Sequence, residues 1–289
     1  MTNGKNTEKR PASLHIGSKI TKAIVWIAGA LTAFIFVFLA GYILVKGVPN
    51  LKPELFSPTY TTENVSMLPA IINTVTMTFL TLLFACPIGI FSAIYLSEYA
   101  RRDNKFVKLV RLTTETLAGI PSIVYGLFGY LIFVKAIKLS YSILAGALTL
   151  AIMTLPTIMR TTEEALISVP DAYREGSFGL GAGKLRTIFV IILPSAMPGI
   201  LSGIILSIGR IVGETAALIY TAGTVTGVAG LLSSGRTLSV HMYALISEGL
   251  YTDQAYATAV ILLILVVLIN ALSGFVSKKL ATRGKNEKV

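Results

Sequence analysis

Residues 23–45 run without a single charged side chain. About 20 consecutive apolar residues are enough for a helix to cross the hydrocarbon core of a bilayer. The run exceeds the roughly 7–15 residues of an export-signal core, so it predicts an uncleaved first membrane span. Comparable runs follow at 69–95, 117–134, 139–159, 200–220 and 256–276. Six spans joined by polar segments predict an all-α integral membrane protein. Hydrophobic residues make up 54% of the chain and charged ones 13%, against about 25% charged in an ordinary soluble domain.

The net charge of +11 could suggest a nucleic-acid partner, but its placement argues for membrane topology. With the N-terminus placed inside, inner segments hold 19 lysines and arginines and outer ones hold five. Basic residues mark cytoplasmic loops. Both tails, 1–22 and 278–289, are therefore expected in the cytoplasm, with the long loop 168–198. No basic stripe interleaved with aromatics points to nucleic acid. Cys86 is the only cysteine and lies in an apolar run, where it reads as a small buried hydrophobe. His15 and His241 fall in a tail and an outer segment, too far apart in sequence for a credible metal or catalytic site.

Loop 168–198 has more internal construction than a connection needs. Ser168, Pro170 and Asp171 resemble a capped helix start. Asp171, Arg174 and Glu175 give that helix a charged face. Gly179, Gly181 and Gly183 then break it, since glycine readily adopts a positive φ. Lys184 opens a second element with Ile188, Ile191 and Ile192 at helical spacing, and Leu193–Pro194 and Pro198 punctuate the approach to the fifth run. A phosphate-binding P-loop is excluded, because the motif needs Gly and Ser or Thr where Phe178 and Leu185 stand. Two readings remain on these grounds, a docking element for a soluble partner and an ordinary interfacial loop.

Two charged pairs lie in or beside the spans. Arg210 sits within the fifth run, where an arginine costs about 2.5–3.5 kcal/mol on insertion scales. Glu214 is four residues on, a spacing that shares a helix face, so the two are expected to pair. That pair either stabilises the bundle or lines a passage in which the guanidinium fork meets an anion's oxygens and Glu214 tunes its availability. Arg160 and Glu163 repeat the theme at the inner end of the fourth run, where an arginine is also expected from topology alone. Pro156 should bend that helix near its end. In Gly119–Gly129, GIPSIVYGLFG, the small residues suit close helix packing and Pro121 suits a hinge; both readings stand.

The stretch Glu175-Gly176-Ser177, three residues, Gly181, nine residues, Ile191, one residue, Leu193-Pro194 resembles the EAA loop of bacterial ABC-importer permeases. It departs from that pattern at Gly176 and Ser177, where the family has alanines. GIPSIVYGLFG, RTTEEAL (Arg160–Leu166), GRIVGETAALIYTAG (Gly209–Gly223) and LSVHMYALISEG (Leu238–Gly249) resemble the phosphate-importer permeases, the A-type subunit more than the C-type. The likeness covers about residues 65–277. It implies a six-transmembrane-helix type I ABC importer permease (MetI-like) fold in the bacterial plasma (inner) membrane. It also implies that the chain is not an enzyme and carries no cofactor, ATP and Mg belonging to a partner ATPase. The implied partners are two ATPase subunits, a second, C-type permease subunit and an extracytoplasmic phosphate-binding protein. Glu175, Gly176, Ser177, Gly181, Ile191, Leu193 and Pro194 become the ATPase-coupling loop, and Arg160, Glu163, Arg210 and Glu214 the charged pathway positions. Another oxyanion, molybdate or sulfate, is the nearest alternative substrate. A secondary transporter is a more distant reading, because it would be expected to show repeat symmetry and ion-coupling groups in several helices.

Overall fold

The computed structural model describes the backbone of residues 12–101 and 104–286 and the side chains of 18–101, 104–272 and 274–275. Of the tails expected at 1–22 and 278–289, residues 12–22 and 278–286 continue the first and last helices in backbone, residues 1–11 and 287–289 lie outside the described residues, and so does the His15 side chain. Five helices are long and apolar enough to cross a membrane, and a bent helix pair brings the number to six. The helix bounds differ instructively from the apolar runs.

Helix α1 (Ala12–Gly47) stands apart, packed along α11 (Thr252–Asn286). Nearly every large side chain on α1 is exposed, Trp26 at 69% and Phe36 at 74%. In water this face would drive collapse, but lipid tails are as apolar as leucine, so in a bilayer it carries no such penalty. Helix α2 (Leu68–Ile94) extends through a π-helical turn, Tyr95–Tyr99. It packs along α5 (Ile143–Ile167), the most buried helix of the bundle. Their threonines donate to carbonyls one turn back, Thr74 to Ala70, Thr78 to Thr74, Thr149 to Ala145 and Thr154 to Leu150, at 2.7–2.8 Å. Short polar side chains are thus satisfied within their own helix where no water can serve. Cys86 is half-buried and packs beside Ala85, Ala151 and Ile158.

The third apolar run is divided. Leu117 and Ala118 end α3 (Lys105–Ala118), and α4 (Ser122–Gly129) starts after Pro121, 105° away from it. A π-helical stretch, Tyr130–Ala136, completes α4. Proline disfavours the helical region in the residue before it, so Ile120–Pro121 is the corner. Gly126 serves the other role, since a Cβ there would stand 2.7 Å from the Ala217 Cα. The stretch holds both a proline corner and a close helix contact, at different residues.

The start of the fourth run is a turn, with Lys138 just before it and Ser140 within it having φ of 60° and 55°. Helix α5 starts only at Ile143, with Ser142 capping Ala145 at 3.2 Å. It continues unbroken through Pro156 to Ile167. The segment between α9 (Ala216–Thr221) and α10 (Leu238–Glu248) folds over the start of α5. Carbonyls of Ser233 and Leu231 accept from the Ile143 and Leu144 amides, groups a helix start leaves unpaired. Asn73 of α2 holds the same segment, donating to the Gly227 and Arg236 carbonyls and accepting from the Ala229 amide.

Candidate functional site

The loop between α5 and the fifth span is a helical hairpin tied to the bundle. Helix α6 (Asp171–Gly179) is followed by a turn and α7 (Lys184–Thr187). The expected cap at Ser168 is not formed. Ser168 instead closes α5, its hydroxyl donating to the Ala165 carbonyl at 2.7 Å, and Pro170 precedes α6. Of the three glycines expected to break the loop only Gly181 needs its freedom, at φ 80°; Gly179 ends α6 and Gly183 precedes α7. The buried hydroxyls of Ser177 and Thr187 share a hydrogen bond of 2.8 Å that joins the two arms. Serine at this position of the loop therefore contributes a bond that alanine could not.

Leu193–Pro194 does not stop the second arm. A π-helical turn, Ile188–Ile192, runs from α7 into α8 (Leu193–Gly213), so helix continues from Lys184 to Gly213. Proline clashes with the carbonyl four residues back, and the wider π turn lies where Pro194 would meet Val190. Ile191 and Leu193 pack partly against a buried cluster that includes Ile94, Leu166 and Ile192. The opposite face is open: Glu175 and Gly176 are exposed, Tyr173, Phe178 and Leu185 are exposed, and Leu180 reaches 91%. Exposed apolar side chains beside charges on a rigid protrusion have the composition of a protein interface.

The expected Arg210–Glu214 pair is absent among the described residues. Helix α8 ends at Gly213, and Glu214 has extended backbone at ψ 130°. Its carboxylate turns forward to accept from the Ala217 amide at 3.1 Å, while its carbonyl accepts from Ser239 at 2.6 Å. Glu214 thus caps the six-residue helix α9, and the fifth apolar run is a broken helix. Arg210, half-buried in the last turn of α8, has no hydrogen bond or ion pair among the described residues. On α4 the Tyr125 hydroxyl donates to the Leu117 carbonyl at 2.8 Å.

Arg160 and Glu163 also take other partners. Arg160 pairs with Glu164 at 2.9 Å on the exposed face of α5, whereas Glu163 accepts from Arg111 of α3 at 2.6 Å. A spacing of three or four leaves two carboxylates within Arg160's reach, and α3 competes for one of them. These four side chains, with Thr114 and Glu115, line a cleft of about 220 Å³ at the loop end of the bundle. The Arg111–Glu163 partnership joins two helices through residues 52 apart in sequence, and neither sequence neighbourhood announces it. His241 stands on α10, fully buried, its ring edge-on to Tyr60, and Arg236 lies over the same ring. Burial and the nearby Arg236 charge hold its pKa down to about 3. Among the described residues no group of three or more His, Cys, Asp or Glu side chains could hold a metal.

Residues 85–283 match the family of binding-protein-dependent transport system inner membrane components. The chain belongs to that family. It is therefore a multi-pass inner-membrane subunit of an ABC importer, a non-catalytic permease that works with ATPase subunits and a binding protein. ATP is bound by the ATPase partner, and the permease carries no cofactor. Among relatives, a probable ABC transporter permease of Bacillus subtilis, YqgI, is 32% identical over 88% of this chain and 93% of its own length. The phosphate transport system permease protein PstA of Pasteurella multocida is 42% identical over 62% of this chain and 64% of its own. Its Haemophilus influenzae namesake is 33% identical over 71% and 73%. In fold, the chain resembles a chain of the MetNI methionine ABC transporter in inward-facing conformations. The TM-score is 0.58 at 20% identity, over 83% of this chain and 97% of that one. A bacterial alginate ABC transporter chain gives 0.65 at 17%, over 92% and 99%. The all-helical type I importer fold expected from the motifs is the one observed.

Proposed function

We propose that this chain carries inorganic phosphate inward, as the A-type permease of a phosphate importer. The observation that carries the reading is Arg210, a guanidinium in a membrane-spanning helix that no carboxylate pairs with among the described residues. An arginine fork suits tetrahedral oxyanions, and an unpaired one in a low-dielectric setting gains most from an anion. It lies in the last turn of α8, where carbonyls without intrahelical partners moderate its charge. Relatives named as phosphate transport permeases support the substrate. Arg111, Arg160, Glu163 and Glu164 form a second charged group at the cytoplasmic mouth, where the two arginines pass the anion on and the carboxylates prevent it from lodging.

In this reading both termini and loop 168–198 are cytoplasmic, as the basic-residue asymmetry supports. The exposed face of α6 and α7 docks an ATPase subunit, whose closure on ATP drives alternating access. A second, C-type permease subunit supplies the other half of the pathway, and the binding protein delivers phosphate to the opposite side. Reconstituted uptake with phosphate, sulfate and molybdate in competition tests the substrate. Phosphate uptake resistant to excess sulfate and molybdate is expected. Preferential uptake of either competitor would assign the chain to that oxyanion.

A further inference from the structure

One side chain ties the docking hairpin to two membrane helices at once. Arg174 of α6 is mostly buried, at 18% side-chain exposure, and its partner Glu98 is at 8%. Its Nη2 donates to Glu98 Oε1 at 2.7 Å and its Nε to Oε2 at 3.3 Å, a two-pronged pairing. Nη1 donates to the Val169 carbonyl at 2.8 Å and Nη2 to the Leu166 carbonyl at 3.0 Å. Asp171 of its own helix accepts from Nη1 at 3.1 Å. Leu166 and Val169 lie at the end of α5, where helix carbonyls lack intrahelical partners. Glu98 belongs to the π-helical turn that ends α2.

The second arm of the hairpin reaches the same turn. Lys184 Nζ stands 4.5 Å from the centre of the Tyr99 ring, within cation–π range. The Ser177–Thr187 bond joins the arms to each other. Below them Ala93, Ile94, Leu96, Leu166, Val169, Ile188 and Ile192 form one buried cluster. Close-packed apolar contacts have low compressibility and transmit displacement, but they are non-directional and tolerate sliding. The bidentate ion pair fixes both position and orientation.

We infer that Glu98 and Arg174 form a coupling strut, positioning residues that make the docking hairpin and the inner end of α2 move as one body. The inference rests on the proposed docking of an ATPase at the hairpin. Arg174 alone would be explained as a cap for α5. Glu98 has no part in capping α5, so it separates a strut from a cap. Losing the Glu98 charge leaves the carbonyl bonds of Arg174 in place and removes the directional tie between α2 and the hairpin, leaving only the Lys184–Tyr99 contact and the apolar cluster.

The test uses the whole complex of permease pair, ATPase and binding protein in proteoliposomes, with spin labels at Phe91 of α2 and Ala172 of α6. Between nucleotide-free and ATP-trapped states, the wild-type Phe91–Ala172 distance should stay constant to within about 2 Å, the scale of ordinary helix shifts. In Glu98→Gln that distance should broaden and change with nucleotide. Transport per ATP hydrolysed should then fall by about tenfold while hydrolysis and subunit stoichiometry stay near wild type. Arg174→Lys, which keeps the charge but cannot make the fork, should act in the same direction. A wild-type distance that changes with nucleotide, or unaltered distance and coupling in Glu98→Gln, would overturn the strut. The distances do not depend on the cargo. If wild-type complex fails to take up phosphate, the substrate reading falls while the strut is still decided by the labels.

Discussion

The Glu214 carboxylate accepts the Ala217 amide at 3.1 Å and forms no ion pair with Arg210, one turn back in sequence. The break at Gly213–Thr215 separates them. A residue that would have damped the arginine's charge is spent on holding the next helix. On the proposed reading this leaves the guanidinium available to an anion.

That arrangement distinguishes two substitutions of Glu214. Glutamine retains an acceptor for the Ala217 amide, so Glu214→Gln should keep uptake within about twofold of wild type. Glu214→Ala loses the cap, which costs about 1 kcal/mol at typical helix starts, and should lower both thermal stability and uptake. Transport assays on the two variants check this. Equal, severe loss in both would return Glu214 to the role of charge partner.

At Gly126 the prediction is steric. A Cβ would meet the Ala217 Cα at 2.7 Å, and backbone cannot step aside as a flexible side-chain end can. Gly126→Ala should displace α9 and cost about 1–3 kcal/mol, the usual range for overpacking. Gly209, with open space around its Cβ direction, is the control, and Gly209→Ala should leave stability unharmed. Melting temperatures of the purified complexes measure both.

His241 predicts a pH dependence with a definite sign. Folded, its pKa lies near 3, against an ordinary value of 6.5, because burial and then Arg236 oppose its charging. Below pH 6.5 the unfolded chain takes up a proton that the folded chain refuses. Stability should therefore fall as pH drops from about 6.5 toward 3, by up to about 1.4 kcal/mol per unit. Melting curves at pH 7.5 and 5.0 should show this loss in wild type and a smaller one in His241→Phe. An identical loss in both would place the acid sensitivity elsewhere.

Much of this architecture is legible in the chain because membrane spans and the coupling motif are local patterns. The apolar runs identify the spanning helices, and spacing from Glu175 to Pro194 identifies the hairpin. The break after Gly213 escapes that reading, since apolar residues flank it on both sides and hydropathy does not register a change of backbone direction. Leu193–Pro194 misleads for the opposite reason, as a π turn lets helix continue where proline suggests a stop. The ion pairs are the least legible. Glu163 chooses Arg111 and Arg174 chooses Glu98, partners brought close only by packing of α3 on α5 and of the hairpin on α2. Arg160 has Glu163 and Glu164 at equally plausible spacings, and only the first choice of α3 leaves Glu164 to it.

The most direct test of the account is phosphate uptake by the reconstituted complex carrying Arg210→Gln. A complex of normal stoichiometry and ATPase activity is expected whose phosphate uptake is abolished, with Arg210→Lys restoring only part of it because a point charge lacks the fork. Undiminished phosphate uptake in Arg210→Gln would contradict it.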